Sequence, residues 1–431
     1  MKTLIMAGGK GTRISSLTGD IPKPMIKIAG KPVLEREIDC LRKNGLKDII
    51  ITVSHLGHVI KDYFADGTEF GVHIEYFDEE KPLGNAGALF GIQDKLKDDF
   101  LVINADSVFD VDFSRFIEFH SKKKGLVTLF THPNSHPYDS GLIIADDNKK
   151  VCKWLAKEDI RPEFYKNRVN SGLHILSPKI FDVLGKFDDI ARNGKIDLDR
   201  DVLKPLVATG KVYCYDSPEY VRDMGTPERY KQVSADVKSG IVEQKNLANR
   251  QKAVFIDRDG VINAYKGYIT DTKDFELLPE VAEAIQRINN SGFLAICVTN
   301  QPVIARGDIT TSGLNEIHNK METLLGNGQA YLDAIYYCPH HPDRGFPGEV
   351  VELKIKCSCR KPEPGMLLHA AKDYNIDLSS SWIIGDDVRD IQTGQRAGCQ
   401  TALIGQENYG QDVSAVSLSD AVNKVFSECA K

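Results

Sequence analysis

An apolar run, Val254-Phe255-Ile256, ends in Asp257-Arg258-Asp259-Gly260-Val261. Side chains alternate along a strand, so carboxylates two residues apart emerge on one side at its carboxyl end, where open α/β sheets bind ligands. One such carboxylate can attack phosphorus while the other handles the leaving group's proton. Alone, Asp-x-Asp is also compatible with a plain turn. Three later groups complete a constellation, each following a strand-like run: Val298-Thr299-Asn300, Arg360-Lys361-Pro362 and Ile384-Gly385-Asp386-Asp387.

Near the start, the strand-like Thr3-Leu4-Ile5-Met6-Ala7 runs into Gly8-Gly9-Lys10-Gly11-Thr12-Arg13. Glycines let successive backbone N–H groups converge on an anion, and Arg13 adds a guanidinium suited to phosphate. The other reading is a glycine turn between strand and helix. Against it stands Ile21-Pro22-Lys23-Pro24-Met25, a rigid turn that presents one lysine as a fixed point charge. A third group is Cys338-Pro339-His340-His341-Pro342 followed by Cys357-Ser358-Cys359. Three thiolates and an imidazole across a glycine- and proline-bearing loop suit a closed tetrahedral zinc site. Cys338, His340, Cys357 and Cys359 are the expected ligands, with His341 as an alternative to His340 and unconnected thiols as the competing reading.

Elements that must position these groups follow from the hydrophobic pattern. Short β-branched runs at 3–7, 49–53, 100–104 and 127–130, and again at 253–256, 294–299 and 382–385, alternate with helical stretches. That alternation predicts α/β architecture with parallel sheets covered on both faces. A length of 431 residues exceeds what one core sustains. The expected layout is two domains, each a mainly parallel sheet flanked by helices: 1–235, a polar linker at 236–251, and 252–431. A helix is expected to begin at Thr226-Pro227.

The net charge of −6 disfavours a nucleic-acid partner. No apolar run reaches membrane-span length, and the amino-terminal run is too short for a signal segment. Nine scattered cysteines fit reduced thiols and a cytoplasmic setting. Homo-oligomerisation stays open.

The glycine loop with Pro-Lys-Pro resembles the sugar-1-phosphate nucleotidyltransferase family. Further matches occur at Leu83-Gly84-Asn85-Ala86-Gly87-Ala88, Asn104-Ala105-Asp106, Asn170-Ser171-Gly172 and Asp223-Met224-Gly225-Thr226-Pro227, so the resemblance covers residues 1 to about 235. It implies that Gly8, Gly9, Gly11, Thr12, Arg13 and Lys23 hold a nucleoside triphosphate, with Arg13 and Lys23 also catalytic. Gly84 and Asn85 would lie near the base, Lys157 and Asn170 would contact the sugar, and Asp106 and Asp223 would bind magnesium. Where relatives carry a Glu-Lys pair, this chain reads Ala156-Lys157-Glu158.

The second constellation resembles the haloacid dehalogenase phosphatase superfamily over residues 252 to about 410. It implies Asp257 as nucleophile, Asp259 as general acid-base, and Thr299 and Lys361 on the transferring phosphoryl group. Asp386, Asp257 and the backbone of Asp259 would hold magnesium, and Asn300, Arg306 and Arg360 would contact substrate. The zinc pattern and Ala305-Arg306-Gly307 are similar to the D-glycero-D-manno-heptose 1,7-bisphosphate 7-phosphatase family; histidinol-phosphate phosphatases share the zinc pattern. Pro302-Val303 departs from the small residue and glycine usual there.

Together the resemblances imply consecutive steps toward a nucleotide-activated heptose for surface glycans, with GTP as the implied triphosphate and heptose phosphates as substrates. Another sugar phosphate, histidinol phosphate, or a nucleotide-sensing N-terminal module are the alternatives.

Overall fold

A computed structural model of the chain describes residues 1–8, 21–54, 56–79 and 83–429. Gly9, Gly11, Thr12 and Arg13 of the glycine loop lie outside them. The chain divides into two compact units: Met1–His132, Gly141–Ala156 and Val169–Asn246, and then Pro133–Ser140, Lys157–Arg168 and Leu247–Lys431.

In the first unit the Thr3–Met6 strand lies between Asp48–Val53 and Phe100–Asn104, parallel to both, and His73–Asp78 continues the parallel set. Burial on two sides explains the near-continuous apolar runs. Ile49, Ile51, Leu101 and Ile103 enter one core cluster, while Leu4, Ile50 and Val102 enter another on the opposite face. The nine-stranded sheet is mixed, however. Val169–Leu176 runs antiparallel to Phe100–Asn104 and Val127–His132, and Val151–Leu155 runs antiparallel to Leu142–Ala145. The short link between these last two strands leaves no room for a crossover helix, so the chain can only fold back on itself.

Thr226 caps the Pro227–Ser239 helix by accepting from the Arg229 N–H, and Gly240, with φ of 78°, ends it. The Ile241–Gln244 helix follows. Val233 and Val242 pack with Ile28, Val33 and Val108, so this polar stretch carries apolar anchors at helical spacing.

The second unit holds a six-stranded sheet in the order Ala334–Cys338, Phe293–Asn300, Lys252–Ile256, Trp382–Gly385, Gln400–Ile404 and Val413–Ala415. Every pair in it is parallel. All carboxyl ends therefore open on one edge, bringing Asp257, Thr299, Cys338 and Asp386 to it from four strands. Two loops beyond this edge are locked together. The Val350 N–H donates to the Ala305 carbonyl at 3.0 Å. Gly307, at φ +77°, lies so close that an added Cβ would sit 1.9 Å from the Gly348 carbonyl oxygen. Among the described residues no helix is long and apolar enough to cross a membrane.

His174, on the Val169–Leu176 strand, is fully buried, and neither ring nitrogen has a hydrogen-bond partner. Burial holds its pKa down at about 3, against an ordinary 6.5. The unfolded chain therefore binds a proton that the folded chain refuses, and stability present above the ordinary value falls as pH drops through it. His174→Leu is expected to weaken the acid dependence of the first unit's unfolding midpoint between about pH 7 and about pH 5. Thermal scans check this; identical pH slopes for both proteins would contradict it.

Candidate active sites

At the carboxyl edge of the six-stranded sheet lies a cavity of about 460 Å³, lined among others by Asp257, Asp259, Thr299, Asn300, Arg360, Lys361 and Asp386. Its centre is the Lys361 ammonium, 4% exposed. Lys361 Nζ lies 2.7 Å from Asp257 Oδ1 and 2.6 Å from Asp390 Oδ1, and it donates to the Val298 carbonyl at 3.1 Å. The stem is fixed from the neighbouring strand: Lys361 N–H donates to Asn300 Oδ1 at 3.0 Å and Asn300 Nδ2 donates back to the Lys361 carbonyl at 3.1 Å. Burial opposes the charge on Lys361, but the carboxylates of Asp257 and Asp390 outweigh it and raise its pKa. Burial, reinforced by Asp390, pushes the Asp257 carboxyl up despite Lys361. Burial and then the Asp257 charge push Asp386 up to about 6.

Asp257, Asp386 and Asp390 bring carboxylate oxygens within 4.8 Å of one another. Three carboxylates against one ammonium leave an excess of two negative charges when all are ionised, and hard oxygen donors of that charge suit a magnesium-type cation. Asp390 was not singled out in the sequence, although its place four residues after Asp386 is a usable signal. Asp387 is engaged elsewhere, capping the Val388–Ala397 helix by accepting from the Arg389 N–H.

The Asp259 side chain does not join that cluster. Arg258 grips it through Nε and Nη2, Asn263 donates to Oδ1 at 3.1 Å, and Gln301 Nε2 donates to Oδ2 at 2.9 Å. Gln301 Nε2 also donates to Thr299 Oγ1 at 2.9 Å, and its backbone N–H donates to the Cys338 carbonyl at 2.8 Å. Arg258 and Gln301 look generic in the sequence, since only the fold turns them toward Asp259. Arg360 lines the cavity and donates to the His340 carbonyl at 3.2 Å. Arg306 is sandwiched between Tyr268 and Phe346, 4.8 and 4.3 Å from the ring centroids, and donates to Asp308.

Cys338, His340, Cys357 and Cys359 form one cluster able to hold a metal ion. Sulfur–sulfur separations are 3.3 to 3.6 Å, and His340 Nδ1 lies 3.3 Å from Cys359 Sγ and 3.6 Å from Cys338 Sγ. A tetrahedral ion with bonds of about 2.3 Å to sulfur and about 2.0 Å to nitrogen has edges of roughly 3.5 to 3.8 Å, so the donors already stand close to that shape. His341 lies outside the cluster and accepts from the Asp343 N–H at 3.2 Å. None of the nine cysteines is in a disulfide; Cys152 and Cys429 are exposed and the remaining four outside the cluster are buried.

In the first unit, Lys23 is buried on the short Lys23–Met25 helix with Nζ 2.5 Å from Asp106 Oδ2. Asp106 follows the Phe100–Asn104 strand, and its carbonyl accepts from the Met224 N–H at 3.1 Å, tying it to the segment that carries Asp223. Burial tends to raise the Asp223 carboxyl, but Arg229, the Gly225 N–H and more weakly Lys23 bring it below its ordinary value. Arg229 Nη1 is 2.8 Å from Asp223 Oδ2, a partner the sequence pattern did not disclose. Asp106 and Asp223 offer the hard oxygens a magnesium-type ion takes, with lysine and arginine now holding them. Gly8 accepts from Ser54 Oγ at 2.7 Å. Gly84, at φ +90°, packs so closely that an added Cβ would meet the Ile196 carbonyl oxygen at 2.2 Å. Asn85 Oδ1 accepts from the Leu198 N–H, and Asn170 Nδ2 donates to Asp199. Lys157, expected beside these residues, belongs instead to the second unit, where it is ion-paired with Asp139.

Residues 2–240 match the nucleotidyl transferase family and residues 358–426 the HAD-hydrolase-like family. The chain is 32% identical over 247 residues to the mannose-1-phosphate guanylyltransferase of Mycobacterium tuberculosis, covering 57% of this chain and 66% of that protein. It is 35% identical over 224 residues to a UTP–glucose-1-phosphate uridylyltransferase of Synechocystis, covering 49% of this chain and 56% of that protein. The chain thus spans less than two thirds of the length of either. To the D-glycero-beta-D-manno-heptose-1,7-bisphosphate 7-phosphatase of Escherichia coli it is 39% identical over 158 residues, covering 37% of this chain and 81% of that protein.

Removing the Lys361 charge leaves two buried carboxylates facing each other. In metal-free protein, Lys361→Met is expected to destabilise the second unit by about 3–5 kcal/mol, the usual result of stripping one partner from a buried pair. Adding Asp390→Asn should recover part of that loss. Denaturant titrations of the single and double variants measure the coupling, and an uncoupled pair would refute the charge argument.

Proposed function

Because the chain belongs to the nucleotidyl transferase family through its N-terminal part and to the HAD-like hydrolases through its C-terminal part, we propose that it makes a nucleotide-activated heptose. In this reading it removes the C7 phosphate of D-glycero-D-manno-heptose 1,7-bisphosphate, then transfers a nucleotidyl group, GMP from GTP, to the resulting heptose 1-phosphate. What carries the reading is the coupling of substrates: the relative of the C-terminal part is named for a bisphosphate whose dephosphorylated form is a sugar 1-phosphate, the class of substrate named for the relatives of the N-terminal part. The guanylyltransferase supports GTP; the uridylyltransferase makes the base a matter for direct assay.

In the phosphatase site Asp257 attacks phosphorus and forms an aspartyl phosphate as the P–O bond to C7 breaks, with Asp259 supplying the proton to the departing oxygen. Water then attacks the same phosphorus, Asp259 takes its proton, and phosphate leaves with Asp257 restored. Lys361 and Thr299 hold the oxygens of the transferring group; Asn300, Arg306 and Arg360 orient the sugar. Magnesium held by Asp257, Asp386 and Asp390, with the Asp259 backbone, would offset the repulsion between carboxylate and phosphate.

In the transferase site the sugar phosphate oxygen attacks the α-phosphorus and pyrophosphate departs, a reaction driven by positioning and charge neutralisation. The glycine loop from Gly8, with Gly9, Gly11, Thr12 and Arg13, holds the triphosphate together with Lys23. Gly84 and Asn85 border the base, Lys157 and Asn170 the sugar, and Asp106 and Asp223 are the magnesium ligands. The domain reading, 1–235 and 252–431 about a linker, goes with this division of labour. Absence of disulfides fits a reducing cytoplasm.

Incubation of the chain with heptose 1,7-bisphosphate, magnesium and each nucleoside triphosphate, followed by product masses, is the primary test. Wild type is expected to release orthophosphate before pyrophosphate. Asp257→Asn should abolish phosphate release yet make nucleotide heptose from supplied heptose 1-phosphate; a product still carrying its C7 phosphate, at near wild-type rate, would overturn the order of steps.

Zinc is the ion proposed for Cys338, His340, Cys357 and Cys359, structural because all four positions are filled by protein. Elemental analysis is expected to find one tightly held zinc per chain. Cys357→Ser should lose it together with loop order and much phosphatase activity; full activity in zinc-free protein would rule the assignment out.

A further inference from the structure

Arg258 stands between the two aspartates of the phosphatase pattern and is 1% exposed. Its Nε lies 3.1 Å from Asp259 Oδ1, and its Nη2 lies 2.9 Å from both Asp259 oxygens. The remaining nitrogen, Nη1, is 3.3 Å from Nε2 of His318. A guanidinium offers only donors, so His318 Nε2 accepts and the ring keeps its proton on Nδ1. Burial and the Arg258 charge, both holding the ring's pKa well below its ordinary value, agree with that neutral form. His318 projects from the Thr311–Asn327 helix and packs against Tyr337, with ring centroids 5.8 Å apart.

We propose that His318 is a positioning residue for phosphoryl transfer, fixing the plane of Arg258 and through it the carboxylate of Asp259. A guanidinium is planar and rigid, so anchoring one terminal nitrogen sets the direction of the other two. Without His318, Nη1 is a buried donor lacking this acceptor, and the fork tilts toward whatever acceptor it can reach. Asp259 then loses the alignment Arg258 gives it, keeping only Asn263 on Oδ1 and Gln301 on Oδ2. The inference rests on the reading of Asp259 as the leaving group's proton donor.

Leaving-group chemistry separates positioning from folding. A sugar phosphate expels an alkoxide that needs a proton, whereas p-nitrophenyl phosphate expels a stable anion. With the full chain and magnesium, His318→Leu is expected to lower kcat/KM for the sugar bisphosphate about tenfold, a part of the roughly 100- to 10,000-fold that a general acid contributes, mainly through kcat. For p-nitrophenyl phosphate the change in kcat/KM should stay within about twofold, because that leaving group gains little from a general acid and kcat/KM ends at its departure, before the attack of water in which Asp259 is the base. His318→Gln, whose carbonyl can accept from Nη1, should recover most of the loss.

Equal losses on both substrates in His318→Leu, or a glutamine variant no better than leucine, overturn the proposal. Should the leucine variant not fold, Arg258→Lys carries the test, since one ammonium cannot reach His318 and both Asp259 oxygens together; equal losses there count equally against it. Asp259→Asn distinguishes the two levels of the argument. If it lowers kcat/KM for both substrates alike, the reading of Asp259 as the acid fails and takes the proposal with it. If it discriminates and His318→Leu does not, only the positioning role fails.

Discussion

The phosphatase unit is organised around a buried ammonium that answers two carboxylates at once. Lys361 is so placed that its one charge faces both Asp257 and Asp390, whose like charges would otherwise oppose each other. Holding such a charge out of water requires a rigid frame, and the surroundings supply one: the Val298 carbonyl, the reciprocal bonds between Asn300 and the Lys361 backbone, and four strand ends arriving in parallel. The all-parallel sheet is thus a condition for the charge cluster. Reversing any one strand would carry its acid or hydroxyl to the far edge.

The transferase unit solves a similar problem differently. Its buried lysine is paired with a single acid, Asp106, and the second acid, Asp223, is held by Arg229. Both carboxylates enter the reaction cycle with a protein cation beside them. In the proposed reaction, binding of a triphosphate with its own counter-ion would exchange partners as well as add them, since lysine, arginine and metal compete for the carboxylate oxygens while phosphate competes for the cations.

How much of this can be read from the sequence depends on the distance over which a residue acts. Strands betray themselves by apolar runs, and Asp257, Lys361 and the Cys/His cluster by short spacing around them, so these were legible. The antiparallel part of the first sheet was less so, because a strand's direction is set by the length and path of its connections. Arg258, Gln301, His318 and Arg229 carry no local signature: Gln301 and His318 act on partners 42 and 60 residues away that only tertiary packing supplies, while Arg258 and Arg229 have near neighbours as partners but only the folded chain turns them that way. The two aromatic rings that flank Arg306, residue 306 being an expected substrate contact, were likewise not legible. Asp390, not singled out in the sequence, stands in the first turn of the helix that follows Asp386.

The close approach of Gly307 to Gly348 has a bearing on how this unit can be redesigned. Two loops from distant parts of the chain touch backbone to backbone, with no side chain between them to absorb a change in length or path. Neither loop can be exchanged alone. A graft meant to alter what the cavity admits has to carry the segment around Arg306 and the segment around Gly348, between His340 and Cys357, as one inherited cassette, and a library that varies only one of them samples mostly chains whose loops collide.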